Sequence, residues 1–86
     1  MYKKEATVKS VIGLHARPAS LLVKLTGKYK SKILLHFNGK QINARSMFDV
    51  LGAGVKGGSS VVVEAEGEDE VSAVEAVVEL IETIEN

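Results

Sequence analysis

Ile33-Leu34-Leu35-His36-Phe37-Asn38-Gly39-Lys40-Gln41-Ile42-Asn43-Ala44 is the stretch that decides the fold. Ile33, Leu35 and Phe37 alternate with Leu34 and His36, which is strand periodicity. Asn38-Gly39 is the strongest short hairpin signal, because both residues tolerate the positive φ that a tight turn requires. The return strand covers Lys40 to Ala44, with Ile42 inward. An antiparallel pair in mid-chain argues against a doubly wound parallel sheet.

Outward from the hairpin, the chain punctuates itself. Upstream, residues Glu5 to Val11 alternate, with Ala6 and Val8 on one side and Glu5, Thr7 and Lys9 on the other. Gly13 turns the chain. From about Ala16 the period changes, and Pro18, Leu22, Leu25 and Tyr29 fall on one helical stripe joined by Leu21. Pro18 in a first turn costs little, since its missing amide has no helical acceptor. Gly27 and the lysines at 28, 30 and 32 suit the helix C-terminus.

Downstream, Ser46 stands three residues before Asp49 and starts a short helix of Met47, Phe48, Val50 and Leu51 that ends at Gly52 or Gly54. Ser60 to Glu66 reads as a strand with Val61, Val63 and Ala65 on one face, and Gly67 turns it. Val71, Val74, Val78 and Ile81, with Ala73, Val77 and Ile84, then mark a long amphipathic helix. The order is β-α-β-β-α-β-α. It predicts an α+β open-faced sandwich, a mostly antiparallel sheet with helices on one face and water on the other.

Eighty-six residues, 45% hydrophobic and 26% charged, make one globular domain over 1–86. There is no cysteine, so no disulfide, thiolate ligand or cysteine nucleophile. The N-terminus lacks the apolar segment of a secretory signal, and no apolar run could span a membrane. The expectation is a cytoplasmic protein without membrane insertion.

The zero net charge conceals a division. Up to Lys56 there are eleven cations and two acids; from Gly57 on there are nine acids and no cation, giving +9 against −9. Such a split steers partners. Three readings follow from it: a solvated face, an acidic protein partner, or nucleic acid. The absence of an aromatic-rich RNA-binding strand speaks against nucleic acid.

Two motifs carry no chemistry. Gly52-Ala53-Gly54-Val55-Lys56-Gly57 spells G-x-G-x-x-G, but it follows a helix and leads into a strand, the reverse of a dinucleotide site. Two histidines without cysteine make a poor metal set, so neither metal nor cofactor is expected. His36 alternates with core residues and belongs on the open sheet face.

His15 is different. It lies in Gly13-Leu14-His15-Ala16-Arg17-Pro18-Ala19-Ser20, between a turn and the first turn of a helix. Unpaired amides and the positive end of the helix dipole converge there on any anion. The same dipole opposes an imidazolium and favours a neutral, nucleophilic ring. Arg17 adds a fork able to hold phosphate oxygens. A transient phosphohistidine needs these parts; the alternative is a ring that merely caps the helix.

These residues resemble the HPr family, the histidine-containing phosphocarriers of the bacterial phosphoenolpyruvate-dependent sugar phosphotransferase system. His15-Ala16-Arg17-Pro18 fits the family's G-[LI]-H-A-R-P pattern, and Asn38-Gly39-Lys40, Asn43-Ala44-Arg45-Ser46 and Gly67-Glu68-Asp69-Glu70 are similar too. The resemblance implies a four-stranded antiparallel sheet with three helices on one side. It implies that His15 takes phosphate on Nδ1 from phosphorylated enzyme I, assisted by Arg17, and gives it to the IIA domain of a sugar permease. It implies a monomer that docks acidic partners through Ala16, Ser20, Lys24, Lys28, Arg45, Met47 and Phe48. In Gram-positive members the serine matching Ser46 is phosphorylated by a kinase and recruits a transcriptional regulator. Asp49 and Gly52-Ala53 depart from those members, and a carboxylate one turn from Ser46 repels a phosphate there. The alternative is a regulatory paralogue that binds transcriptional or metabolic proteins without transferring phosphate.

Overall fold

The computed structural model describes residues 1–84. Its elements run β1 (Tyr2–Thr7), α1 (Ala16–Thr26), β2 (Lys32–Phe37), β3 (Lys40–Asn43), α2 (Met47–Gly52), β4 (Ser60–Glu66) and α3 (Glu70–Thr83). The four strands form one antiparallel sheet in the order β1-β4-β2-β3. The α+β open-faced sandwich expected from the sequence is therefore the observed architecture.

The hairpin closes as its residues dictate. Phe37 pairs with Lys40 across a two-residue turn, with φ of 52° at Asn38 and 77° at Gly39, the signature of a type I′ turn. Leu35 faces Ile42 across the pair and both are buried. β4 occupies the middle of the sheet, bonded to β1 on one side and β2 on the other, and its Val61, Val63 and Ala65 are buried. Ala6, Ile33, Leu35 and Ile42 complete the inner face of the sheet. Against it lie Leu22 and Ala19 of α1, Val50 of α2, and Ala73, Val74, Val77 and Ile81 of α3.

Three expectations are corrected. The first strand is Tyr2–Thr7, not Glu5–Val11. Its inner positions are Tyr2, Lys4 and Ala6, and the lysine hides the alternation: its ammonium reaches Glu75 of α3 at 3.0 Å. Beyond Thr7 the chain is still held, by Val8 N–H to Ser59 O at 2.8 Å and Lys9 N–H to Ile81 O at 3.3 Å, but it leaves the sheet. Leu21 is 40% exposed, because α1 packs on Pro18, Ala19, Leu22 and Thr26 instead. The small residues let the helix approach closely, and the Thr26 hydroxyl is satisfied by bonding Val23 O and Ala44 O at 3.0 and 3.2 Å. Val71 lies in the first turn of α3, ahead of the packed stripe, and is 52% exposed.

Candidate functional site

His15 is the N-cap of α1, with extended backbone (φ −84°, ψ −166°). Its carbonyl accepts the Ala19 amide at 2.9 Å, the first bond of the helix. Its ring does not cap: no side-chain bond to the helix amides is made. Among the described residues the ring's Nε2 is buried without a partner, whereas Nδ1 is neither buried nor bonded. One nitrogen is thus turned into the protein and the other is left open where the first-turn amides of Ala16 and Arg17 have no helical acceptor. Negative charge on a group at that nitrogen meets the positive end of the α1 dipole.

What aims the ring is the preceding loop. Gly13 has φ +92°, and a Cβ there would overlap the Val55 carbonyl and lie 2.8 Å from Lys56 Cα. The Gly13 amide donates to Ser10 O at 3.1 Å and the Leu14 amide to Val55 O at 3.0 Å. Only glycine permits this approach. His15 then lies in an open depression of about 330 Å³ with Ile12, Leu14, Ala16, Leu51, Gly54, Val55 and Lys56. Gly54, Val55 and Lys56, in the loop between α2 and β4, supply one wall of it.

Arg17, Lys24 and Lys28 are exposed along one side of α1 and just beyond it, with the exposed Leu21 among them. None of the three cations makes an ion pair among the described residues. The acids of the C-terminal half are spent elsewhere: Glu70 on the N-terminal ammonium at 2.9 Å, Glu75 on Lys4, and Glu68 on Lys30 at 3.0 Å. Folding therefore neutralises cations on β1 and at the α1–β2 turn and leaves those flanking His15 uncompensated. Ser20 is half-buried on the same helix.

α2 packs beside α1 and places Phe48 at 87% exposure, while Met47 is half-buried against the core. Ser46 is the N-cap of α2: its hydroxyl oxygen accepts the Asp49 amide at 3.2 Å. The Asp49 carboxylate turns back to the Asn43 amide at 3.4 Å.

Arg45 does not join this group. Its Nε donates to Thr26 O at 3.2 Å and its Nη2 to Ser31 O at 3.1 Å and to Tyr29 O. These carbonyls are at and beyond the C-terminal end of α1, one helix length, about 16 Å at 1.5 Å per residue, from His15. His36 is also remote, on the open sheet face with its Nε2 2.7 Å from Glu64 Oε1. Among the described residues no three His, Cys, Asp or Glu converge as metal ligands, and no helix is long and apolar enough to cross a membrane.

Ile12, Leu21, Leu51 and Lys56 are the surface residues that sequence reading missed. Lys56 lies in residues 52–57, whose G-x-G-x-x-G spelling carries no site, and the exposure of Ile12, Leu21 and Leu51 leaves no trace in periodicity.

The chain matches the family model described as PTS HPr component phosphorylation site over residues 2–83. It is 42% identical over 83 residues to the phosphocarrier protein HPr of Borreliella burgdorferi, covering 96% of each chain. Its fold matches the crystal structure of HPr from Thermoanaerobacter tengcongensis with a TM-score of 0.90 and 40% identity, over 94% of this chain and 91% of that one. Crh, the catabolite repression protein of Bacillus subtilis, is similar at a TM-score of 0.78 and 32% identity, over 99% of this chain and 100% of that one. With a match running from the first strand to the last helix, the chain belongs to the HPr family, the phosphocarriers of the phosphotransferase system.

Proposed function

We propose that His15 accepts a phosphoryl group from phosphorylated enzyme I and passes it to the IIA domain of a sugar permease. The observation that carries this reading is the division of the ring: Nε2 buried and Nδ1 open at the N-terminus of an eleven-residue helix. The Nδ1 lone pair attacks phosphorus, the new P–N bond forms and the bond to the donor breaks. The Ala16 and Arg17 amides and the Arg17 guanidinium take the phosphoryl oxygens, and reversal of the same step delivers the group to the acceptor. Donor and acceptor dock as acidic surfaces on Ala16, Ser20, Lys24, Lys28, Met47 and Phe48. Arg45 serves this surface indirectly, by holding the C-terminal end of α1. The protein works as a monomer in the cytoplasm and needs neither metal nor cofactor.

Phosphorylation of Ser46 by a kinase, with recruitment of a transcriptional regulator, is a second, regulatory layer of the same proposal. The likeness to Crh, a protein named for catabolite repression, supports a regulatory role, and a phosphate on an N-cap meets a favourable dipole. Asp49, whose amide that hydroxyl binds, opposes it electrostatically.

Incubation with phosphoenolpyruvate and enzyme I, followed by intact mass, tests the transfer. Wild type should gain the mass of one phosphoryl group and His15→Ala none. Labelling of His15→Ala contradicts it by placing the phosphate on another residue; no labelling of wild type contradicts it and favours the non-transferring regulatory reading.

A further inference from the structure

Val11 and Ile12 are 86% and 68% exposed, two adjacent β-branched side chains held out in water. The loop that carries them is fixed on both sides. Gly13 N–H bonds Ser10 O at 3.1 Å, Leu14 N–H bonds Val55 O at 3.0 Å, and Gly58 N–H bonds Val8 O at 2.9 Å. Its inner surface is backbone against backbone: a Cβ at Gly57 would overlap the carbonyl oxygens of Ser10 and Val11. Ile12 opens onto the same depression as His15, facing Leu51, which is 43% exposed, with the exposed Lys56 at its edge.

A solvated apolar side chain held beside a reactive group, with a second exposed one adjacent in the loop and a cation, Lys56, unpaired among the described residues at the rim, is the anatomy of a binding anchor. We infer that Ile12, supported by Val11, is an apolar anchor for the protein that exchanges phosphate with His15. That partner presents an apolar side chain next to its own phosphorylated group, with an acid placed to face Lys56. The inference rests on the transfer proposed above and extends its docking surface from α1 and α2 onto the loop ahead of His15. Both charge and apolar contact then select the partner, and because the loop is already rigid the contact requires little ordering on binding.

Steady-state transfer from enzyme I tests it with Ile12→Ser, Val11→Ser and Ile12→Leu. Exposed positions should leave melting unchanged. Ile12→Ser should raise KM roughly tenfold with kcat within about twofold, the pattern of lost docking with intact chemistry. The factor should persist at high salt, unlike that of a lysine substitution, and Ile12→Leu should recover most of it. An unchanged KM for Ile12→Ser with competent wild type overturns the anchor alone. So does a concentration-dependent dimer of wild type that Ile12→Ser abolishes, since a second copy then covers the patch. Absence of transfer to wild type overturns the transfer proposal and the anchor together.

Discussion

The Leu14 amide donates to the Val55 carbonyl at 3.0 Å, and this single bond ties the segment that carries His15 to the segment that enters β4. Gly13 makes the tie possible by standing with φ +92° against Val55 and Lys56. Gly13→Ala should therefore destabilise the fold by about 2–4 kcal/mol, combining a left-handed residue with an overpacked contact. Denaturant titration reads that loss, and transfer to His15 should fall beyond it because the ring is re-aimed. A variant as stable and as active as wild type contradicts this role.

The uncompensated cations on α1 predict salt-sensitive docking. Transfer from enzyme I should slow as ionic strength rises to physiological, where screening acts over about 8 Å. Lys24→Glu or Lys28→Glu should raise KM more than it lowers kcat. Arg45→Met, by contrast, should lower the melting temperature, since its guanidinium serves the carbonyls of Thr26, Tyr29 and Ser31. Rates indifferent to salt would return the α1 stripe to a solvated face.

Asp69 predicts how the fold responds to acid. Its carboxylate accepts the Ser31 hydroxyl and the amides of Lys30 and Ser31, and these bonds hold it below the ordinary carboxylate range. Glu70, bonded to the N-terminal ammonium, and Glu75, bonded to Tyr2 and Lys4, move the same way. A carboxylate lowered in the folded state stabilises fully above its unfolded value of about 4 and loses that contribution as pH falls through the folded value. Stability should accordingly decline below about pH 4–5. Asp69→Asn should lower the melting temperature at neutral pH and flatten that decline. An acid profile as steep as wild type would show that Asp69 contributes nothing to it.

Ser46→Asp should leave the melting temperature nearly unchanged, because aspartate is a good N-cap and the α2 dipole favours an anion. Transfer should weaken through KM, and more so in an Asp49→Gly background, where no carboxylate already occupies that turn. Ser46→Ala should cost about 1 kcal/mol from the lost cap and spare transfer. Equal impairment of transfer by both substitutions would reduce Ser46 to a structural cap.

Local rules made much of this fold legible. Asn38-Gly39 announced its turn because few residue pairs take positive φ twice, and the α1 start and the whole of β4 followed from changes of period. The His15 motif was legible for the same reason: helix-start chemistry is written in adjacent residues. Nonlocal relationships were not. Periodicity gives the angle of Leu21 around its helix, not whether anything covers it. It cannot show that Arg45 reaches back fourteen to nineteen positions to carbonyls at and beyond the end of α1, or that Asp69, on the threshold of α3, caps the α1–β2 turn instead of its own helix. Val11 read as the end of the first strand, because alternation persists where the chain has already left the sheet, and Ile12 carried no signal of its own.

The central claim is that phosphate goes to His15 through the nitrogen the fold leaves open. Long-range ¹H–¹⁵N correlation on ¹⁵N-labelled protein, before and after reaction with phosphoenolpyruvate and enzyme I, reads it directly. Phosphorus coupling and a shifted resonance at Nδ1 of His15, with the label lost in acid and kept in base, is the result predicted. Phosphorus at Nε2, at His36, or in an acid-stable ester would contradict it.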